Sequence, residues 1–119
     1  MRKIKGILIS LVIIMLMAAP AWGKGTIGNT ADALCATGTG YLRGILVHTD
    51  GTNAVTLAVY DNTAASGTKL FSTWTVPTSA TNRTSAIEFT EQECPFYTGI
   101  YVDVTTSGTV TFDCFYDAR

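Results

Sequence analysis

The sequence predicts an all-β protein: a single small antiparallel β-sandwich, jelly-roll-like or a flattened barrel, of about six to eight strands, preceded by a hydrophobic signal-peptide helix. Three observations carry this. Beyond residue 23 the chain is rich in Thr, Gly, Val and Tyr and poor in Leu, Glu and Lys, which favours strands over helices. Apolar residues alternate with polar ones in short runs. Turn residues such as Asp50-Gly51 and Ser107-Gly108 punctuate those runs. At 119 residues the chain is too short for two ordinary domains.

The first segment, 1–23, reads as a leader. Arg2, Lys3 and Lys5 precede an apolar run from Gly6 to Ala19 broken only by Ser10, and Ala19-Pro20-Ala21 supplies a small-x-small cleavage signal. A spanning helix needs about 20 apolar residues, and this run stops at Pro20. Cleavage is therefore expected, with retention as an anchor the competing outcome. Export implies a secreted, extracellular or cell-surface location, no membrane attachment after cleavage, and conditions that permit disulfides.

Residues 24–40 form an N-terminal arm. Small residues and repeated glycines deny it a firm element, and it could be flexible or lie as a strand on the domain's edge. The sandwich proper is expected over 41–119. Its strands fall at Tyr41–Thr49, Ala54–Asp61, Lys69–Val76 (stopped by Pro77), Ser85–Thr90, Gly99–Thr105 and Thr109–Tyr116. Val55, Leu57 and Val59 share one face of the second, and Val110, Phe112, Cys114 and Tyr116 one face of the last. The last two strands suggest a hairpin, in which a two-residue turn at Ser107-Gly108 would pair Tyr101 with Cys114. Such strands cannot bury one face in a single wet sheet, so a second layer must close over them.

Charge excludes one class of partner. Residues 24–119 carry five Lys/Arg against nine Asp/Glu, a net charge of about −4. Without a basic patch, counterion release from nucleic acid offers little binding energy.

Three cysteines follow the leader: Cys35, Cys94 and Cys114. One bridge leaves one thiol over. In the expected hairpin register Cys94 would lie far beyond the reach of Cys114, since bridged Cα atoms must approach to about 4.4–6.8 Å. A bridge from Cys35 would pin the arm, and Cys35–Cys94 is favoured, with Cys114 free. Cys35–Cys114 is the next alternative, then Cys94–Cys114.

Nothing in the chain marks a catalytic centre or a cofactor site. His48, the single histidine, stands beside Asp50 but lacks a nucleophile motif. Asp50, Asn53, Asp61 and Asn62 offer oxygens suited to calcium, yet they fall at opposite ends of one strand and read as turn formers. Glu88, Glu91 and Glu93 read as solvated. Trp74 alternates with Leu70 and Val76 and reads as core. Tyr60, Tyr97 and Tyr101 read as a possible interface or ligand surface. Asn82-Arg83-Thr84 matches a glycosylation sequon.

Four phrases carry a resemblance: Gly44 to Asn53 (GILVHTDGTN), Val55 to Asn62 (VTLAVYDN), Ser66 to Leu70 (SGTKL) and Thr98 to Val104 (TGIYVDV). In order and spacing, Gly40–Asp117 resembles small β-sandwich domains of bacteriophage virion and head-fibre-type proteins and their uncharacterised bacterial relatives. That resemblance implies a structural coat or fibre role with no catalytic residues. The leader and the three cysteines depart from it and point to use outside the cell. The expectation is a secreted, non-catalytic subunit that assembles with itself into an extracellular filament, coat or matrix. The alternative is a monomeric module that binds a surface glycan or cell-surface ligand.

Overall fold

The computed structural model describes residues 24–119, and the expected leader, 1–23, lies outside the described residues. The described residues contain no helix, and nine strands: β1 (Lys24–Asn29), β2 (Ala33–Thr37), β3 (Gly40–Thr49), β4 (Val55–Tyr60), β5 (Trp74–Val76), β6 (Thr84–Glu88), β7 (Pro95–Phe96), β8 (Gly99–Thr105) and β9 (Val110–Ala118).

They form two antiparallel sheets. One has the order β1-β9-β3-β6, with the two-residue β7 continuing along the β6 side of β3; the other has the order β2-β8-β4-β5. The pairing is nested: β1 with β9, β2 with β8, β3 with β6, β4 with β5. The chain behaves as one long hairpin, its tip between β4 and β5, rolled so that successive segments fall alternately in the two sheets.

Period-two alternation places the core between the layers. Val55, Leu57 and Val59 of β4 and Ile100 and Val102 of β8 face Leu42, Ile45 and Val47 of β3 and Val110, Phe112 and Cys114 of β9, all buried. A bulge at Arg43 resets the alternation of β3, because the register with β9 shifts between Leu42 and Gly44. Leu42 and Ile45 therefore both point inward while Arg43 points out and bonds Asp117 across the strand pair at 2.6 Å.

Several strand expectations hold closely, including Gly99–Thr105, which is β8. The arm, for which a flexible segment or an edge strand was expected, has two strands, one on the edge of each sheet. Two expectations differ. The strand expected over Lys69–Val76 shrinks to Trp74–Val76: its first half is a loop touching β4 through the single bridge Tyr60↔Lys69 and a bond from the Leu70 amide to the Val59 carbonyl, 2.8 Å. Leu70, Phe71 and Trp74 still pack against the core.

The last two strands do not form a hairpin with each other. Tyr101 pairs with Tyr60 and Leu34, and Cys114 with Ile45 and Thr26. The reason is ladder completion. In separate sheets β8 and β9 each gain a partner on both sides, and the inward faces of both meet in the core. The intervening Ser107-Gly108 becomes a corner on which the Asp50 loop docks. Asp50 Oδ2 accepts the Thr109 amide at 3.1 Å, and a side chain at Gly108 would collide with that carboxylate and with Asn53. Gly51, at φ 80°, supplies the left-handed residue that the Asp-Gly turn requires.

Candidate functional site

The arm is the segment whose geometry invites function. β1 lies beside β9 with Lys24↔Tyr116, Gly25↔Phe115 and Thr26↔Cys114 in register, then slips before Asn29↔Phe112. β2 lies beside β8 from Ala33↔Val102 to Thr37↔Gly99, with a slip between Leu34 and Ala36. Each arm strand is an edge strand, so its outer row of main-chain groups has no strand beside it. Its outward side chains are apolar and open: Ile27 is 76% exposed and Leu34 44%. Nearby Phe115 is 40% exposed.

Carboxylates pin this arrangement by accepting main-chain N–H groups from distant segments. Asp113 Oδ1 accepts the Gly28 amide of β1 at 2.7 Å, and Asp32 Oδ1, just before β2, accepts the Val104 amide of β8 at 2.7 Å. Asp61 receives the amides of Tyr97, Thr98 and Gly99 at 2.8–3.3 Å, fixing the turn into β8. Asp50 Oδ1 accepts the amides of Thr52 and Asn53, each at 2.8 Å, and Oδ2 accepts the Asn53 side-chain amide at 3.0 Å besides Thr109. These donors, the Asn53 side chain foremost, hold Asp50 well below the usual carboxylate range. Asp103 moves the other way: burial first, then the charge of Asp32 beside it, pushes its carboxyl up.

Of the residues considered for calcium, Asp50 and Asp61 turn their carboxylates to the protein's own loops, at opposite ends of β4. Among the described residues no three His, Cys, Asp or Glu side chains gather where they could hold a metal ion.

The tyrosines converge on the outer face of the second sheet. Tyr60 and Tyr101 are register partners, and Leu34 stands on the other side of Tyr101, so Leu34, Tyr101 and Tyr60 form a row across β2, β8 and β4. Tyr97, 68% exposed, sits on the turn that Asp61 grips one residue past Tyr60. On the first sheet, a depression of about 330 Å³ runs along the β3–β6 pair, walled by Gly44, Leu46, Ala86, Glu88 and Phe115 among others.

His48 is exposed on β3, its Nδ1 2.8 Å from the Thr84 hydroxyl, and the Asp50 carboxylate beside it in sequence turns to its own loop. Glu88, Glu91 and Glu93 are exposed. Glu93 Oε2 accepts the hydroxyl and the amide of Thr90, which hold its carboxyl below the usual range and close the turn that carries Gln92 at φ 66°. Trp74 is half-buried against the core, and Asn82 of the sequon lies on an exposed loop.

All three cysteines are buried free thiols. Cys35 and Cys114 lie side by side, near enough to share a hydrogen bond that favours ionisation of Cys35 and holds the Cys114 proton, while Thr26 also bonds Cys35. Cys94 sits apart, its carbonyl accepting the Leu42 amide at 2.8 Å, and burial pushes its thiol up to about 11 with help from Glu93.

Sequence reasoning did not single out Asp32, Asp113, Phe115 or the Arg43–Asp117 pair. Their partners lie far along the chain, and no local pattern announces a side chain that caps a strand seventy or more residues away.

No family model matches this chain, and no curated protein or solved structure resembles it significantly.

Proposed function

We propose that this chain is an exported, non-catalytic structural protein with a jelly-roll fold, whose copies assemble by exchanging their arms. The observation that carries the reading is that residues 24–37 supply one edge strand to each sheet, β1 and β2. The same ladders form equally well when a neighbour's arm occupies those places, since edge pairing uses main-chain groups and little side-chain specificity. Domain exchange of this kind costs little because the contacts made equal those broken. Nested pairing of eight principal strands across two sheets is the order of a rolled double Greek key, an architecture used by viral coats and lectins alike. It agrees with the resemblance of Gly40–Asp117 to phage virion domains. Exposed Ile27, Leu34 and Phe115 add apolar surface suited to subunit contact.

Electron microscopy and light scattering of the exported protein test this. Filaments, sheets or closed oligomers are expected. A monomer at all concentrations overturns assembly, and assembly that persists after deletion of residues 24–40 overturns arm exchange.

A second reading, a monomeric module for a surface glycan, draws on the Tyr60–Tyr101 pair, which offers ring surface on an outer face. Under it, Tyr60→Ala or Tyr101→Ala weakens glycan binding while the fold persists.

A further inference from the structure

We infer that Cys35 and Cys114 join as the domain's disulfide, fastening the arm to the body across the two sheets. The β2–β8 register slips at one place. Leu34 pairs with Tyr101 and Ala36 with Ile100, so Cys35 is the extra residue of a bulge. A bulge re-aims its side chain, and here Leu34 points to solvent while Cys35, 4% exposed, turns into the core. Cys114 is an inward residue of β9, the strand against which β1 lies, and its register partner on β1 is Thr26. Thr26 and Cys114 are both neighbours of Cys35. One buried thiol from each sheet therefore turns inward at the flank where the arm closes the sandwich.

Cys94 is placed elsewhere. It lies just before β7, on the β6 side of β3, whereas Cys114 is on β9 along the opposite side of β3. Two strand spacings of about 4.8 Å separate those rows, more than the roughly 6.8 Å limit between bridged Cα atoms. Cys35, on the edge strand at the far flank, is served by Cys114 and not by the Cys94 that spacing in the sequence favours.

The chemistry is thiol–disulfide exchange with a low-molecular-weight or protein disulfide of the oxidising compartment. When the arm lifts, the Cys35 thiol loses its proton and the thiolate attacks one sulfur of that disulfide, expelling a thiolate and leaving a mixed disulfide. As the arm redocks, Cys114 gives up its proton and attacks the Cys35 sulfur. The Cys35–Cys114 bond forms and the second thiolate leaves. Two thiols of the protein are oxidised, one external disulfide is reduced to two thiols, and the two protons released pass to them.

The bond has a consequence for assembly, which in this respect alone rests on the arm-exchange reading. Formed before exchange it locks the arm at home; formed after exchange it welds neighbouring copies.

The test is peptide mapping of the purified protein after equilibration with oxidised glutathione and blocking of free thiols. Tryptic cleavage at Arg43 and Arg83 leaves Cys94 and Cys114 on one peptide, so a second cut before Asp103 and Asp113 is required. The expected product links the Cys35 peptide to the Cys114 peptide, with Cys94 blocked. The variant Cys94→Ser should keep the link, and Cys114→Ser should leave no bridge to Cys35. A Cys35–Cys94 link, or three blocked thiols, overturns the inference. Non-reducing electrophoresis of the same sample separates the two readings: a monomer band carrying the link upholds the bridge while giving no support to exchange, and a ladder of multimers carrying it upholds both.

Discussion

The arm and the body of the sandwich draw on the same residue types but are held in different ways. In the body, β3 and β9 pair along their whole length, from Gly40↔Ala118 to Thr49↔Val110 with one bulge at Arg43, and the inward side chains Leu42, Ile45, Phe112 and Cys114 are all buried. Along the arm, β1 touches β9 over a short, slipped stretch and its Ile27 faces solvent; the arm is fixed by the Asp113 carboxylate of β9, which accepts the Gly28 amide, and by its own Asp32, which accepts the Val104 amide of β8. Burial of apolar area is worth about 25 cal/mol per Å² and rises with every inward side chain. Main-chain bonds at an edge exchange one set of partners for water and return little net free energy. The body thus rests chiefly on buried side chains and the arm chiefly on edge ladders, with Cys35 and Ala36 as its buried anchors.

Four experiments test this contrast. Truncating the body should have the largest effect. Phe112→Ala empties a fully buried site between the sheets, and a loss of about 3–5 kcal/mol is expected in chemical denaturation. A loss under about 1 kcal/mol would show that the core is not the source of stability. Next comes the Asp61 grip on the turn into β8. Asp61→Ala strands the amides of Tyr97, Thr98 and Gly99, and a loss of about 1–3 kcal/mol should follow, with faster hydrogen exchange at those amides.

A smaller, pH-dependent effect belongs to the arm. The Asp103 carboxyl is raised by burial and by Asp32, so the docked arm binds that proton more tightly than the freed chain does. Docking therefore strengthens as pH falls through the raised value and weakens above it. Protection of the β2 amides, corrected for the intrinsic exchange rate, should increase on acidification from neutrality into the carboxylate range, and Asp103→Asn should flatten the change. Asp50 has the opposite sign. Its contribution is present above the ordinary carboxylate range and is lost only as pH falls through its lowered value, so the corner at Thr109 should hold where the arm is already responding. Smallest of all is Arg43→Ala. The Arg43–Asp117 pair is only partly buried, with the side chains 33% and 25% exposed, and the solvent that reaches it keeps its expected contribution to about 1 kcal/mol. A larger loss would mean that the bulge in β3 depends on the pair.

Much of the body was legible in the residues. Alternation at Val55, Leu57 and Val59 and at Phe112, Cys114 and Tyr116 places the inward faces correctly, because side-chain direction in a strand is a local property. The turns at Asp50-Gly51 and Ser107-Gly108 were likewise legible as chain reversals. What each reversal connects was not. The expected Tyr101–Cys114 hairpin pairing failed because the corner at Ser107-Gly108 serves a hairpin or a crossing between sheets equally well, and the choice falls to the partners waiting on either side. The arm was unreadable for a related reason. Its glycines and small residues have no strong preference, and β1 and β2 are strands because β9 and β8 offer open ladders beside them.

The sequence alone therefore determined the all-β class, the positions of the turns and the inward face of each main strand, all set by contacts between near neighbours and by the two-residue repeat of an extended chain. Tertiary structure decided which strands pair, that the arm closes both sheets, that Asp32 and Asp113 reach across to hold it, and that a bulge turns Cys35 into the core. These depend on loop closures over most of the chain, where the free energy lies in joint burial and shared ladders and not in any short stretch of residues.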